Sequence, residues 1–174
     1  MNREHRKILA MDLSLNCPSF AVLETVGDKV KILEVTHVYN KNNKKTTGQK
    51  LKEIAEALYS IILNHKLNDG DTYVVREKGF SRFALTTQQL FRVVGVSDLM
   101  IYALLETGKI EEITPTSVKK LVTGDGKSSK EDVESGVRNH LIPEQKDFVF
   151  KTDDESDAVA VGISYVIKNG LFYK

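Results

Sequence analysis

The chain has 174 residues (19.5 kDa), 41% of them hydrophobic and 28% charged, with a net charge of +1. That composition suits one globular domain spanning 1–174 with a full core, and it excludes a disordered or collagen-like chain. No apolar stretch approaches the roughly 18–20 residues of a membrane span, and Arg3, Arg6 and Lys7 stand where a secretory signal needs an apolar run, so a cytoplasmic protein with no membrane partner is expected.

A lone cysteine, Cys17, leaves neither an intrachain disulfide nor a cysteine metal cluster, so any metal must sit on carboxylates. In chain order, Lys7 to Ser14 reads as a strand in which Ile8, Ala10 and Asp12 share one face. Ser19 to Val26 and Lys29 to Tyr39 are two more strands, joined by a tight hairpin at Gly27-Asp28, and the three make an antiparallel meander. A polar loop from Asn40 to Thr47 precedes a helix marked by Leu51, Ile54, Ala55, Leu58, Ile61 and Ile62 at helical spacing. Asp71 to Glu77 is a buried strand containing Tyr73, Val74 and Val75. Thr87 to Glu106 is a long apolar helix stopped near Gly108, and Ile110 to Thr114 is a short strand.

Pro115 opens a helix through Val122, and Gly124 and Gly126 break it. A second helix starts at Ser129 and carries Asp132, Val133, Val137 and Leu141. After Pro143 and a polar loop, Asp154 to Lys168 forms the last helix, ending before Gly170. Helices that alternate with strands after a meander predict an α/β domain with a mixed sheet and helices on both faces.

Four acids fall where such a sheet gathers its functional groups. Asp12 and Glu77 each end a strand, and Asp154 and Asp157, three residues apart, share one face of the last helix. An acid inside an apolar strand such as Asp12 needs a partner or a metal, because burying an unpaired carboxylate costs several kcal/mol or shifts its pKa. The plainer readings are a helix cap or dipole partner for Asp154 and Asp157. Convergence of all four would suit a pair of Mg2+ ions about 3.5–4 Å apart, the arrangement that stabilises the entering and leaving oxygens of a phosphodiester under in-line attack.

Basic residues form three groups: Lys41, Lys44, Lys45, Lys50 and Lys52; Arg76, Lys78, Arg82 and Arg92; and Lys119, Lys120, Lys127 and Lys130. Each alone reads as a solvated face, and together with the acids they suggest a DNA-binding surface. The histidines, His5, His37, His65 and His140, have no metal-ligand spacing.

The segments ILAMDLSLNCPSFAV at 8–22, VVREKGF at 74–80, TPTSVKKLVTGDGKSSKEDV at 114–133 and DDESDAVAVG at 153–162 carry a resemblance that covers nearly the whole chain. They resemble the RuvC-type Holliday junction resolvases of the RNase H-like superfamily, the third segment most specifically. The resemblance implies an RNase H-like fold with a five-stranded sheet. It also implies metal-dependent hydrolysis of DNA by two Mg2+, for which Mn2+ can substitute. Asp12, Glu77, Asp154 and Asp157 match the family's metal-binding acids, with Asp153 as the alternative to Asp154.

Lys119, or Lys120 in its place, and Lys130 match lysines near the cleaved phosphate, and Phe80 matches an aromatic that meets bases at the junction centre. Arg76, Lys78, Arg82, Lys120 and Lys127 are the further candidates for DNA contact. Arg76 stands where the family has an apolar residue, and strand alternation turns it away from Glu77. Paired symmetric nicking implies a homodimer, with the Thr87 to Glu106 helix as a candidate interface.

The Asp12-Leu13-Ser14 opening departs from the bacterial Asp-Pro-Gly and resembles phage branches, so neither helicase partnership nor bacterial cleavage-sequence preference is assumed. A broader branched-DNA endonuclease and a non-catalytic DNA-binding protein are the rival expectations, separated by matched-substrate cleavage assays.

Overall fold

The computed structural model describes residues 6–42, 44–69, 72–79, 82–106 and 109–173. Five strands, β1 (Lys7–Asp12), β2 (Ser19–Val26), β3 (Lys29–His37), β4 (Thr72–Glu77) and β5 (Ile110–Ile113), form one sheet in the order β3-β2-β1-β4-β5. β1–β2 and β2–β3 pair antiparallel, whereas β1–β4 and β4–β5 pair parallel. The meander therefore feeds a parallel half, as expected of a mixed sheet. Gly27 turns the β2–β3 hairpin at φ +60°, a left-handed conformation that favours glycine.

Alternation along the strands sends side chains into two cores. Leu9, Met11, Phe20, Val22 and Val74 face α1 (Thr47–Asn64) and α2 (Ala84–Leu105). Ile8, Ala10, Ala21, Leu23, Val75 and Ile113 face α3 (Pro115–Thr123), α4 (Lys130–His140) and α5 (Asp153–Lys168). Helix α5 is the central element of that face, buried at Glu155 and Ser156 and from Ala158 to Val166. It approaches the sheet so closely at Gly162 that a Cβ there would lie 2.4 Å from Leu23 Cδ1 and 3.0 Å from Ala10 Cβ. Gly162→Val is accordingly expected to cost about 3 kcal/mol by overpacking, read as a lower denaturant midpoint with an unchanged m-value.

Several element ends differ from expectation, each for a local reason. β1 stops at Asp12 instead of Ser14, where Ser14 Oγ accepts from the Cys17 backbone N–H and turns the chain. β3 stops at His37 instead of Tyr39. Helix α1 starts at Thr47, inside the expected loop, because Thr46 and Gln49 make a reciprocal capping box. Helix α2 begins at Ala84, a turn earlier than its apolar periodicity suggested, and ends on Glu106 in the left-handed region at φ 53°. Gly108 and Asp71 lie outside the described residues. Helix α5 is capped by Thr152, whose side chain accepts from the Glu155 N–H, so Asp154 is not the cap. No helix among the described residues is long and apolar enough to cross a membrane.

Candidate active site

β1 and β4 run parallel side by side, so their C-terminal ends deliver Asp12 and Glu77 to the same edge of the sheet and on the same face, the one α5 covers. The first turns of α5 meet that edge. Asp12, Asp154 and Asp157 each offer a carboxylate oxygen within 4.8 Å of the other two. Glu77 lies outside this close group, but its charge bears on Asp12 and it in turn feels Asp157. Asp153 points elsewhere: its side chain is 73% exposed and sits 3.5 Å from Lys130 Nζ. The i, i+3 spacing explains the difference, since Asp154 and Asp157 share a face and Asp153 is rotated about 100° off it.

The electrostatics are those of acids crowded together. Burial, reinforced by Glu77, Asp157 and Asp154, pushes the Asp12 carboxyl up to about 7 against the opposing pull of Lys130. Burial and Asp157 likewise raise Glu77 to about 7, with Lys119 working in the other direction. Asp157 is also raised, chiefly by burial, and Lys130 at 3.7 Å opposes the rise. Burial works against the charge of Lys130, yet Asp157, Asp153 and Asp154 together hold its pKa above the ordinary lysine value.

Asp12, Asp154 and Asp157, crowded against like charges, make an oxygen-only donor set. That is the chemistry that hard divalent cations select.

The lysines sort themselves by contact. Lys119, half-buried on α3, donates to the Ser128 carbonyl at 2.7 Å and lies close enough to Glu77 to lower its pKa. Lys120 is on the far side of that helix turn, in a groove with Glu112, Ser117 and Lys168. Lys127 is exposed on the α3–α4 loop, its backbone N–H held by Asp125 Oδ1 at 3.0 Å. Lys78 and Arg82 are exposed beyond β4, and Phe80 lies outside the described residues.

Arg76 is corrected. Alternation does turn it away from Glu77, but it is 8% exposed and its guanidinium pairs with Asp98 on α2 and with Glu112 on β5, at 2.8 Å for the latter. A buried guanidinium engaged by two carboxylates ties α2 to the sheet, a structural role in place of the expected solvent-facing one.

Three further residues, Cys17, Glu155 and His37, surround the start of α5 without a motif to mark them. Cys17 is buried, and its thiol, pushed up to about 11 by burial and by a hydrogen bond to Asp154, stays protonated beside that carboxylate. Glu155, 2% exposed, accepts from His37 Nδ1 at 2.9 Å and from the Lys151 N–H at 2.7 Å. It thereby seats the first turn of α5 against the end of β3. His37 is the register partner of Ser19, which is itself opposite Asp12, so one rung of the sheet leads from the acid cluster to this buried pair. Helical spacing contained the signal, since Glu155 shares a stripe with Val159, Gly162 and Val166, and an acid on a buried stripe requires a partner. A cleft of about 280 Å3 opens beside the cluster, lined by Ser14, Asn16, Glu77, Gln89 and Pro115 among others.

Comparison with known proteins agrees with this geometry. The chain is 30% identical over 159 residues to the crossover junction endodeoxyribonuclease RuvC of Aliarcobacter butzleri, covering 91% of this chain and 97% of that protein. It is 32% identical over 160 residues to the enzyme of the same name from Campylobacter curvus, covering 91% and 95%. The fold is that of Thermus thermophilus RuvC in complex with Holliday junction substrate, at a TM-score of 0.79 with 16% identity and 94% of each chain covered. The yeast mitochondrial Holliday junction resolvase is a more distant likeness, at a TM-score of 0.57 with 12% identity over 94% of this chain and 80% of that one. Residues 8–165 match the family of the crossover junction endodeoxyribonuclease RuvC, and with the acid-bearing strand ends and helix already in place, the chain belongs to that family.

Proposed function

We propose that this protein is a structure-selective endodeoxyribonuclease that resolves four-way DNA junctions by paired nicking, its 174 residues acting as one nuclease domain. The observation that carries the reading is the convergence of Asp12, Asp154 and Asp157 within 4.8 Å, with Glu77 at the adjoining strand end. Asp12, Asp154 and Asp157, with Glu77 completing the set, would hold two Mg2+, and Mn2+ has the same preference for oxygen ligands. When bound, such ions neutralise charge on the phosphate and lower the pKa of a coordinated water.

The chain's own cations have complementary work. Lys130 faces the cluster from the start of α4, and Lys119 faces Glu77 from α3; both are placed to offset charge on a phosphate and its leaving oxygen. Lys119 is the better candidate than Lys120, which opens on another groove. The exposed Lys78, Arg82 and Lys127 are candidates for phosphate contact beyond the cleft.

A homodimer accompanies this reading. Helix α2 buries Val93, Ser97 and Ile101 on one side and leaves Phe83, Leu85, Phe91, Leu99 and Tyr102 more than 60% exposed around its length. Apolar residues exposed in that number suit an interface, and two-fold symmetry suits a substrate cut on two strands.

The test compares Mg2+-dependent cleavage of a four-way junction, a Y-shaped DNA and a linear duplex. Paired nicks confined to the junction are expected. Equal cutting of the Y-shaped DNA would make the protein a broader branched-DNA endonuclease, and binding without cutting would overturn the enzymatic reading.

A further inference from the structure

We propose that Asn16 is a DNA-backbone contact, a side-chain amide that donates to a phosphate next to the one that is cut and is held in that pose by the buried Lys50. This rests on the nuclease reading above and specifies how its cleft grips the strand. Lys50 lies on the buried stripe of α1 with Ile54 and Leu58, is 8% exposed, and donates from Nζ to Asn16 Oδ1 at 2.8 Å. Among the described residues no carboxylate pairs with it, although its neighbours Lys45 and Lys52 are paired with Glu53 and Glu56, each at 2.6 Å.

A lysine buried in the first turns of a helix, without an acid, is unfavourable twice over. Desolvation penalises its charge, and the helix N-terminus is the positive end of the dipole. An aliphatic side chain would fill the same space at no such cost. What the ammonium accomplishes is to orient one amide. Lysine only donates, so by taking Oδ1 it determines which way the Asn16 side chain faces and leaves Nδ2 with both hydrogens outward.

That Nδ2 has no acceptor among the described residues, and Asn16 is exposed on the rim of the cleft that also contains Ser14 and Glu77. The backbone beneath it is fastened as well. The Asn16 carbonyl accepts from the Asn40 N–H at 2.7 Å, Asn40 Nδ2 donates to the Lys50 carbonyl at 3.2 Å, and Lys45 Nζ donates to Asn40 Oδ1 at 3.3 Å.

The result is a neutral donor, backed by a buried positive charge and immobilised before any ligand arrives, on the loop that leads away from Asp12. Asparagine amides are among the groups that bond DNA phosphate oxygens, and preorganisation removes the ordering cost of doing so. Glu77 on the same cleft repels anions, which makes a positively backed donor in the cleft wall the place for the backbone to rest.

The experiment measures junction binding by fluorescence anisotropy with the full chain in an Asp12→Asn background and Mg2+. It uses an unmodified four-way junction and a set carrying single methylphosphonates at the phosphates flanking the cleavage position. Asn16→Ala is expected to weaken binding about 10- to 150-fold, the usual scale for a hydrogen bond to a charged group. It should also abolish the penalty of one methylphosphonate that the parent feels.

Lys50→Met should give a similar loss, and the double variant no more than either single one. Asn16→Asp should bind more weakly still while melting higher, because the new carboxylate pairs with Lys50 and repels phosphate. Since Asn16 is exposed, its variants remain folded even where Lys50→Met does not. Unchanged affinity in Asn16→Ala with every methylphosphonate penalty intact would overturn the assignment. Failure of the wild-type chain, assayed beside the parent in Ca2+ in place of Mg2+, to bind the junction at all would overturn the nuclease reading together with it.

Discussion

Asp12→Asn is expected to reduce junction cleavage by about 10³-fold or more, an increase of some 4 kcal/mol in the barrier, while making the metal-free protein more stable. Both effects follow from one placement. β1 ends with Asp12 at the meeting point of Glu77, Asp154 and Asp157, so its carboxylate is the member of the set that every other acid touches electrostatically. In the proposed ligand role an amide would be a poor substitute, because its oxygen carries no net charge to offset the cation's. As a residue of the metal-free fold it is a liability, since burial and three like charges resist its ionisation and push its carboxyl up to about 7. Removing that charge at pH 8 should return on the order of 1–3 kcal/mol, after allowance for solvent screening. For a chain of this size that is a rise in melting temperature of about 3–8 °C.

Junction affinity should be nearly unchanged. Loss of binding together with cleavage, or a fall in melting temperature, would mean that Asp12 holds the fold and is no ligand.

The metal-free wild-type protein should lose stability as the pH rises from about 5 to about 8, and Mg2+ should restore it most at the alkaline end. Asp12 and Glu77 both hold protons up to about 7 in the folded chain, against ordinary values of 3.8 and 4.5. Between those limits the folded state binds protons that the unfolded state has released. Stability therefore falls with increasing pH and levels off above about 7. The two sites together account for a decline on the order of 2–4 kcal/mol.

Cation binding in the proposed site would require both carboxylates ionised, so it would release protons and be opposed by acid. The rise in melting temperature caused by 10-fold steps of Mg2+ should be small at pH 5.5 and large at pH 8. A double variant, Asp12→Asn with Glu77→Gln, should have a flatter profile and little response to Mg2+. Retention of the wild-type slope in that variant would assign the effect to other groups.

Much of the architecture was legible in the residues because each signal was local. Alternation in Lys7–Asp12, the Gly27-Asp28 turn and the helical spacing through Leu58 and Ile62 each depend on neighbours a few positions away, and the five strands and five α-helices among the described residues lie where those patterns pointed. Ends were harder. The Thr46–Gln49 capping box drew α1 into a segment that reads as loop, and Ala84 joined α2 without an apolar partner to announce it.

The RuvC resemblance, carried by four short segments, agrees with the family match over residues 8–165. Choices between adjacent residues were not legible. Asp153 and Asp154 are equivalent as letters, and so are Lys119 and Lys120. A helix rotates each successive residue by about 100°, so only the docking of α5 and α3 decides which member of each pair faces the cleft.

By itself, then, the sequence determined the order and type of the elements, the mixed sheet, and the strand ends and helix on which four acids would be found. Those properties are written in periods of two and 3.6 and in short motifs. The tertiary structure alone decided which charges meet. It turned Arg76 from a candidate DNA contact into a buried tie between Asp98 and Glu112, and it placed Glu155 against His37, Cys17 against Asp154 and Lys50 against Asn16. Each of these pairs joins segments distant in the chain. An ionisable side chain has no fixed character until its surroundings set its solvation and its partners, and no local pattern encodes those.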